Sequence, residues 1–162
     1  MSSSLKKYFK KLDAILVSSV GNIIYITEYS GFSEIERECF LLLTKNLPRD
    51  KAGKQYLITD GRYSQALKKL KNFEVINIGA KKFITRDHSN ILKNLSTKSV
   101  GIEENDLSVS EYKSLKKNLK NITSIDLSKL RIIKKTDEIK NIKLACKIGD
   151  LAFDFILDKL RL

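Results

Sequence analysis

The amino-acid sequence predicts an α/β domain with a mixed, mostly parallel sheet of five to six strands and flanking helices, followed by a long C-terminal helix. The main observation is that short apolar and β-branched runs alternate with amphipathic stretches, a pattern typical of strands joined by helical connections. A second observation is that two early runs, at 39–44 and 55–59, are separated by a polar segment containing Pro48 and Gly53. These two runs are therefore expected to pair as an antiparallel hairpin.

Strands and helices alternate around this hairpin in the first half of the chain. The sequence DAILVS at 13–18 predicts a buried strand, and a short helix or turn follows at 21–29. A polar loop at 30–38 then leads into the hairpin. After the hairpin, the spacing of apolar residues predicts a helix at 62–71, and the alternating sequence FEVINI predicts a strand at 73–78. The residues of that helix expected to face inward are Ala66, Leu67 and Leu70.

The second half of the chain continues the same alternation. Its predicted elements are a helix at 87–95, a strand at 99–103, a helix at 108–119 and a strand at 122–126. The helix at 108–119 has a capping box, because Ser108 can cap its first turn and Glu111 follows three residues later. We find no internal repeat and no low-complexity segment.

The last helix, predicted at 137–160, has an unusually wide apolar face. Thr136 can act as its N-cap, and acidic residues in the first turn suit the positive end of the helix dipole. Apolar residues recur at spacings of three and four from Ile139 to Leu160. At about 25 cal/mol per Å², burying this face would stabilise the protein by several kcal/mol. We therefore expect the helix, in isolation, to pack back on the domain or to associate with a copy of itself.

Amino-acid composition indicates the structural class of the protein and its cellular compartment. With 42% apolar and 31% charged residues, the chain has the composition of a globular protein. No run of eighteen apolar residues is present, so we expect no contact with a membrane, and the basic N-terminus lacks a cleavage site for a signal peptide. Cys39 and Cys146 both lie in apolar patterns, which predicts buried free thiols in a reducing, cytoplasmic environment.

The net charge of +12 raises the question of a nucleic-acid partner. The basic residues are scattered along the chain, no stretch interleaves them with aromatic residues, and lysine greatly outnumbers arginine. The sequence is also rich in Asn and Ile, whose codons, like those of Lys, are rich in A and T. We therefore interpret most lysines as solvated helix faces and expect no nucleic-acid partner.

Catalytic and metal-binding signals are weak. The single histidine, His88, has no second His or Cys nearby, and no glycine-rich phosphate loop is present. Acidic residues near predicted strand ends could converge as a two-metal site, although such residues are also common in turns. They are Asp13, Asp60, Glu103 and Glu104. Structural positions are the favoured interpretation, so we expect neither catalytic residues nor a metal site in this chain.

The strongest local motif is TDGRY at 59–63. Asp60 can accept backbone N–H bonds and cap the helix that follows, and Gly61 permits a positive φ at the turn. Arg62 and Tyr63 would then emerge at the edge of the sheet. This segment is either a structural turn, which we favour, or an edge that contacts a substrate or a partner subunit.

Four segments carry a resemblance to a known family. They are DAILVSSVGNIIYITEYSG at 13–31, LITDGRYSQAL at 57–67, VGIEENDLSVSEYKSLKK at 100–117 and LRIIKKTDEIKNIKLACKIGDLAF at 130–153. In order and spacing they resemble the N-terminal domain of the creatinase/prolidase/aminopeptidase P family, the "pita-bread" metallopeptidases that cleave Xaa-Pro bonds. The resemblance covers residues 12–162. One difference is Glu28, where the family commonly has Gly.

The resemblance implies a fold and a role. The fold would be that of a creatinase N-terminal domain, with a ribonuclease H-like motif at 1–128, and residues 129–162 would be a linker and the first helix of a catalytic domain. That domain would bind two divalent metal ions, manganese or cobalt, through residues beyond 162. The resemblance thus implies a non-catalytic domain of an Xaa-Pro aminopeptidase or dipeptidase, with no cofactor of its own.

The resemblance also implies partners and positions near a substrate. The parent enzyme would be a homo-oligomer, most simply a dimer, and a peptide substrate would be bound only through the catalytic domain. Residues expected near the substrate or at a subunit interface are Phe32, Arg37, Arg62 and Tyr63. The alternative is a stand-alone interaction module of the same fold. Whether the reading frame continues past codon 162 distinguishes the two.

Overall fold

A computed structural model describes residues 3–45, 55–78, 92 and 97–160 of the chain. The chain divides into two compact units, Met1–Leu130 and Arg131–Leu162. The strands are β1 (Ala14–Val17), β2 (Cys39–Thr44), β3 (Gln55–Thr59), β4 (Glu74–Asn77), β5 (Ser99–Ile102) and β6 (Asn121–Ser124). The helices are α1 (Ser3–Lys6), α2 (Val20–Thr27), α3 (Ser64–Leu67), α4 (Val109–Asn118), α5 (Lys129–Ile132) and α6 (Thr136–Leu160), with 3-10 turns at Tyr8–Lys10 and Gly61–Tyr63.

The first unit contains one six-stranded sheet with the order β4-β3-β2-β1-β5-β6. Strand β2 runs antiparallel to both of its neighbours, β1 and β3, whereas the other neighbouring pairs are parallel. The predicted α/β fold class, including the early hairpin, is confirmed. At one edge of the sheet, which we call the carboxyl edge, five strands end and β2 begins. At the opposite edge, the amino edge, those five strands begin and β2 ends.

Both faces of the sheet are buried at its centre, where β1 and β2 are apolar at nearly every position rather than at every second one. Ile15 and Val17 of β1 face one core cluster, together with α2 and the N-terminal segment. Ala14 and Leu16 face the other cluster, which includes Leu115 of α4. Side chains alternate across the plane of a strand, so the continuous apolar runs in the sequence supply two cores from the same strands.

The helix after β3 is shorter than the sequence predicts. Only the stretch up to Leu67 is helical, preceded by a 3-10 turn, and beyond it Leu70 and Phe73 close successive turns through their backbone N–H groups. Leu67 is fully buried, but Ala66 is exposed, so its predicted inward orientation is wrong. Ala66 lies on the side of the helix that faces away from the core.

The predicted helix at 87–95 and the connection of the hairpin lie outside the described residues. Leu92 is the exception, and it is fully buried in the second core cluster. The capping box predicted at the start of α4 is confirmed. The Ser108 hydroxyl accepts from the Glu111 N–H at 3.2 Å, and the Glu111 carboxylate accepts from the Ser108 N–H at 2.7 Å.

The long terminal helix is confirmed and begins at Thr136, one residue before the predicted start. None of its side chains is buried, and Phe153 remains 62% exposed. Cys146 is therefore exposed, which corrects the expectation that both thiols are buried, whereas Cys39 is fully buried in β2. In the described part of the chain, no helix combines the length and apolarity needed to cross a membrane.

Helix α2 is capped by a residue from a distant strand. Ser19 stands at the N-cap position, but its side chain makes no capping hydrogen bond. Instead the carboxylate of Glu103, just after β5, accepts from the N–H groups of Ser18 and Ser19 at 2.7 and 2.9 Å. It also accepts from the side chain of Asn22 in the first turn. A buried carboxylate with three donors thus ties β1 and α2 to β5.

Helix α2 ends in a left-handed residue that is not glycine. Glu28 has φ 58°, and its N–H donates to the carbonyl of Ile24 at 2.7 Å. Among the described residues, Glu28 alone combines a positive φ with a side chain. A Cβ in this region crowds the following carbonyl oxygen, which is why glycine is favoured after helices. The position where the resembled family commonly has Gly is therefore one at which the backbone favours Gly.

This strain gives a prediction about stability. Replacing Glu28 with Gly should stabilise the chain by about 1 kcal/mol relative to Glu28→Ala, because both changes remove the carboxylate and only one removes the Cβ. Urea unfolding of the two variants measures the difference in the free energy of unfolding. Equal stabilities for the two variants would mean that the left-handed conformation carries no strain.

Candidate functional site at the carboxyl edge

The four residues singled out from the sequence lie in two segments at the carboxyl edge. Phe32 and Arg37 belong to the loop between α2 and β2, and Arg62 and Tyr63 belong to the 3-10 turn after β3. Because β2 and β3 are antiparallel, the start of one lies beside the end of the other, with Cys39 paired to Thr59. The reversed direction of β2 thus brings the two segments to the same place.

Asp60 organises the turn after β3, as the sequence predicts. Its carboxylate accepts from the Arg62 N–H at 2.9 Å, which caps the turn. The same carboxylate binds the Arg62 guanidinium through Nη2 at 2.7 Å and Nε at 3.0 Å. This bond to Arg62 lowers the pKa of the Asp60 carboxyl and raises the pKa of Arg62. Gly61 lies in the 3-10 turn without a positive φ, so the expected left-handed turn is not used.

Glu38 is a second buried carboxylate beside the first. It immediately precedes β2, is 3% exposed, and accepts from the Ser33 N–H at 2.6 Å. It also accepts from the Tyr63 hydroxyl, and its other oxygen lies 3.3 Å from Arg62 Nη1. Burial, followed by the bond to Glu38, raises the pKa of Tyr63. One guanidinium therefore forms ion pairs with two carboxylates that are almost completely buried.

Aromatic rings connect the loop to the turn. The ring of Phe32 lies 5.0 Å from the ring of Tyr29 and 5.0 Å from the ring of Tyr63, in tilted or edge-to-face arrangements. Phe32 is buried in the first core cluster, and Tyr63 packs against that cluster. The guanidinium of Arg62 lies 5.6 Å from the centre of the Tyr63 ring. We call these residues the edge cluster: Phe32, Glu38, Asp60, Arg62 and Tyr63.

Arg37 has different partners from the other three predicted residues. Its Nη1 and Nη2 donate to the side chain and carbonyl of Asp106 at 2.6 and 2.8 Å. Its Nε donates to Glu111 at 3.2 Å, and Nη1 also donates to the carbonyl of Ser18. These bonds tie the loop before β2 to the segment between β5 and α4. Arg37 thus positions the loop, whereas Arg62 is 60% exposed at its side chain.

Glu38 is central to the edge cluster, but no sequence motif singled it out. It ends the polar stretch at 30–38, where carboxylates are common. The signal was present in the hairpin register, because extending the Cys39–Thr59 pair by one residue sets Glu38 across from Asp60. The Thr59 hydroxyl also donates to the Glu38 carbonyl at 2.8 Å. Two facing carboxylates beside an arginine indicate a structural ion-pair network.

The chemistry available at this edge is recognition and positioning. Both buried carboxylates of the edge cluster are occupied by donors from the chain itself, and the exposed group is the guanidinium of Arg62. Among the described residues, no group of three or more His, Cys, Asp or Glu side chains could hold a metal ion. The four acidic candidates do not converge, because Asp13 lies at the amino edge and the other three at the carboxyl edge. His88 lies outside the described residues.

Comparison with known proteins assigns the fold to a family. Residues 8–139 match the Creatinase/Prolidase N-terminal domain. The chain belongs to the creatinase/prolidase N-terminal domain family. This assignment confirms the resemblance. The matched range covers the whole described sheet, both segments of the edge cluster and the start of α6.

Individual relatives of this creatinase/prolidase N-terminal domain are peptidases. It is 29% identical over 151 residues to an uncharacterized peptidase, YqhT, of Bacillus subtilis (strain 168), covering 90% of this chain and 39% of the relative. It is similar in structure to an Xaa-Pro dipeptidase from Bacillus anthracis, with a TM-score of 0.76 and 28% identity, covering 95% of this chain and 41% of that one. The chain therefore spans about two fifths of the length of these relatives.

A third likeness is to an isolated domain. The N-terminal domain of the cytoplasmic peptidase PepQ from Mycobacterium tuberculosis H37Rv aligns with a TM-score of 0.55 and 23% identity, covering 75% of this chain and 88% of that domain. At this identity the likeness shows the fold alone.

The lowered pKa of Asp60 predicts a pH dependence of stability. The ionised carboxylate is stabilised in the folded state, so its contribution is fully present above the unfolded pKa of 3.8 and is lost as pH falls through the lower folded pKa. The difference in unfolding free energy between the wild type and Asp60→Asn should thus be largest near neutral pH and shrink below about pH 4. Urea unfolding at several pH values measures it. The matched change Asp154→Asn, at an exposed position of α6, serves as the control for the substitution itself.

Proposed function

We propose that this chain is the non-catalytic N-terminal domain of a cytoplasmic, metal-dependent Xaa-Pro aminopeptidase or dipeptidase. The observation that supports it best is the similarity to the Xaa-Pro dipeptidase from Bacillus anthracis, which covers 95% of this chain but only 41% of that enzyme. In this proposal the parent enzyme binds two divalent metal ions, manganese or cobalt, in a catalytic domain that follows. Peptide substrates are bound through that domain.

The ion-pair chemistry of the edge cluster supports a non-catalytic role. General acid–base catalysis needs a carboxylate with access to substrate, and metal catalysis needs several carboxylates that share one ion. Here Glu38 and Asp60 are buried and bound by Arg62, Tyr63 and backbone donors. Such groups hold a loop and a turn in fixed positions. This is the arrangement expected of a domain that shapes a site whose reactive groups lie elsewhere.

Within the parent enzyme, we propose that the carboxyl edge contributes to subunit contacts and to the wall of the substrate pocket. Tyr63 is partly exposed and packs against the buried ring of Phe32, and Arg62 offers an exposed cation already oriented by two carboxylates. A preorganised guanidinium loses little conformational freedom when it binds an anionic group. Arg37 acts in this scheme as a positioning residue, because its donors are used inside the chain. A homodimer is the simplest assembly.

Residues 129–162 are, in this proposal, the linker and the first helix of the catalytic domain. The exposed apolar face of α6 supports this, because Ile148, Phe153 and Ile156 are each more than half exposed. Exposed apolar surface of this extent is unusual for a helix that has no partner. The same observation favours the alternative of a stand-alone interaction module, in which α6 binds another protein. The nucleotide sequence downstream of codon 162 separates the two.

The proposal predicts that the chain alone has no peptidase activity. The purified chain should not cleave Xaa-Pro peptides in the presence of manganese or cobalt, and calorimetry should detect no stoichiometric metal binding. A full-length Xaa-Pro dipeptidase from Bacillus anthracis, assayed in parallel, serves as the positive control. Manganese-dependent cleavage by the chain at a rate proportional to its concentration would overturn the non-catalytic assignment.

The role of Phe32 can be tested in a chimera that joins this chain to the catalytic domain of the Bacillus anthracis enzyme. Phe32→Leu should lower kcat/KM for Xaa-Pro dipeptides by roughly tenfold, because the buried ring that holds Tyr63, and through it Arg62, in position is lost. Phe9→Leu is the matched control, since Phe9 is buried in the same core cluster. Equal losses of activity in the two variants, with equal losses of stability, would show that Phe32 acts through packing alone.

A further inference from the structure

The sheet gathers at its amino edge lysines that are far apart in the sequence. Lys11 lies just before β1, Lys98 immediately precedes β5, Lys120 immediately precedes β6, and Lys45 immediately follows β2. These strands are consecutive in the sheet order, β2-β1-β5-β6. We call these four residues the lysine row. All four are exposed.

Hydrogen bonds between the strand ends fix the lysine row in place. The Lys45 N–H donates to the Asp13 carbonyl at 2.7 Å, and the Asp13 N–H donates to the Ser99 carbonyl at 3.0 Å. The Ser99 hydroxyl donates to the Lys11 carbonyl at 3.3 Å. Neighbouring strands lie about 4.8 Å apart, so the backbone positions of the row span about 15 Å across four strands. The four backbone positions therefore lie in a row across the amino edge, and each carries an exposed lysine.

One acidic residue, Asp13, adjoins these four strand ends in the described part of the chain. Its carboxylate is already used, because it accepts from the N–H groups of Lys98 and Ser99, both at 3.0 Å. Most acidic groups that adjoin the strands lie instead at the carboxyl edge, where Glu38, Asp60 and Glu103 are found. At these four strand ends the basic residues thus outnumber the acidic ones, whereas at the carboxyl edge carboxylates are paired with Arg37 and Arg62.

We propose that the lysine row binds the phosphate backbone of double-stranded nucleic acid without reading its sequence. Lysine is a compact point charge that contacts phosphates without the bidentate geometry used for base edges. Among the described sequence neighbours of the row there is no exposed aromatic ring, so the stacking that single-strand binding requires is missing. The net charge of +12 adds a favourable long-range field.

This proposal is independent of the peptidase assignment, because it uses the opposite edge of the sheet from the edge cluster. The expectation of no nucleic-acid partner rests in part on the scatter of the lysines along the chain, and this part does not hold in the folded sheet. That spacing separates Lys11 from Lys98 by most of the first unit, whereas the parallel pairing of β1 with β5 makes them neighbours. The sheet topology thus supplies a contiguous basic surface that the linear sequence lacks.

The experiment measures binding of the full 162-residue chain to a fluorescent DNA duplex by anisotropy as a function of salt. Four phosphate contacts contribute about 3.6 to the slope of log K against log salt, or about 150-fold in affinity between 50 and 200 mM. The quadruple variant Lys11→Gln, Lys45→Gln, Lys98→Gln and Lys120→Gln should lose about this much slope. The matched control removes four exposed lysines elsewhere, with the changes Lys68→Gln, Lys143→Gln, Lys147→Gln and Lys159→Gln. Its slope should change by less than about one.

Several results would overturn the proposal. The proposal is wrong if the wild type does not bind at about 50 mM salt. It is also wrong if both quadruple variants lose the same slope, because binding would then depend on net charge and not on the lysine row. Tighter binding to a single strand than to the duplex would contradict the assignment to double-stranded nucleic acid. Competition by polyglutamate as strong as that by duplex, at equal charge, would assign the row to acidic protein instead. Circular dichroism of both variants confirms that each remains folded.

Discussion

The structure of the candidate site depends on the burial of two carboxylates side by side at the carboxyl edge of the sheet. Glu38 and Asp60 are each almost removed from water, and an unpaired charge in such a position would be strongly destabilising. Arg62 contacts both, and the Tyr63 hydroxyl and the Ser33 N–H complete the bonds to Glu38. The loop before β2 and the turn after β3 adopt their conformations because these bonds must be made together.

The reversed direction of one strand creates this site and also separates two kinds of surface. Because β2 runs against its neighbours, the residue before it lies beside the residue after β3, and the residue after it bonds to the residue before β1. Carboxylates and their arginine partners collect at one edge of the sheet, and lysines collect at the other. In the two proposals made above, the carboxyl edge shapes a peptidase site and the amino edge binds a polyanion.

Local sequence rules predicted the local features well, and the misses have physical causes. The capping box of Ser108 and Glu111 and the cap by Asp60 involve residues within three positions of each other, so spacing alone identifies them. The helix after β3 was predicted too long, because the apolar spacing continues past the point where the core ends at Leu67. The exposure of Cys146 was not predicted, because an apolar pattern shows which face of a helix could be buried but not whether another part of the protein covers it.

The sequence by itself determined the order and type of most elements, the antiparallel hairpin and the family, because these follow from hydrophobic periodicity, capping residues and motif spacing. The family resemblance singled out Phe32, Arg37, Arg62 and Tyr63 as positions near a substrate or a subunit interface. The structure brings Phe32, Arg62 and Tyr63 into one cluster. Only the tertiary structure decided that Glu38 joins this cluster and that Glu103, after β5, caps the helix that follows β1. It also decided that four scattered lysines form a row. Each of these depends on strand pairing between residues far apart in the chain, which no local pattern specifies.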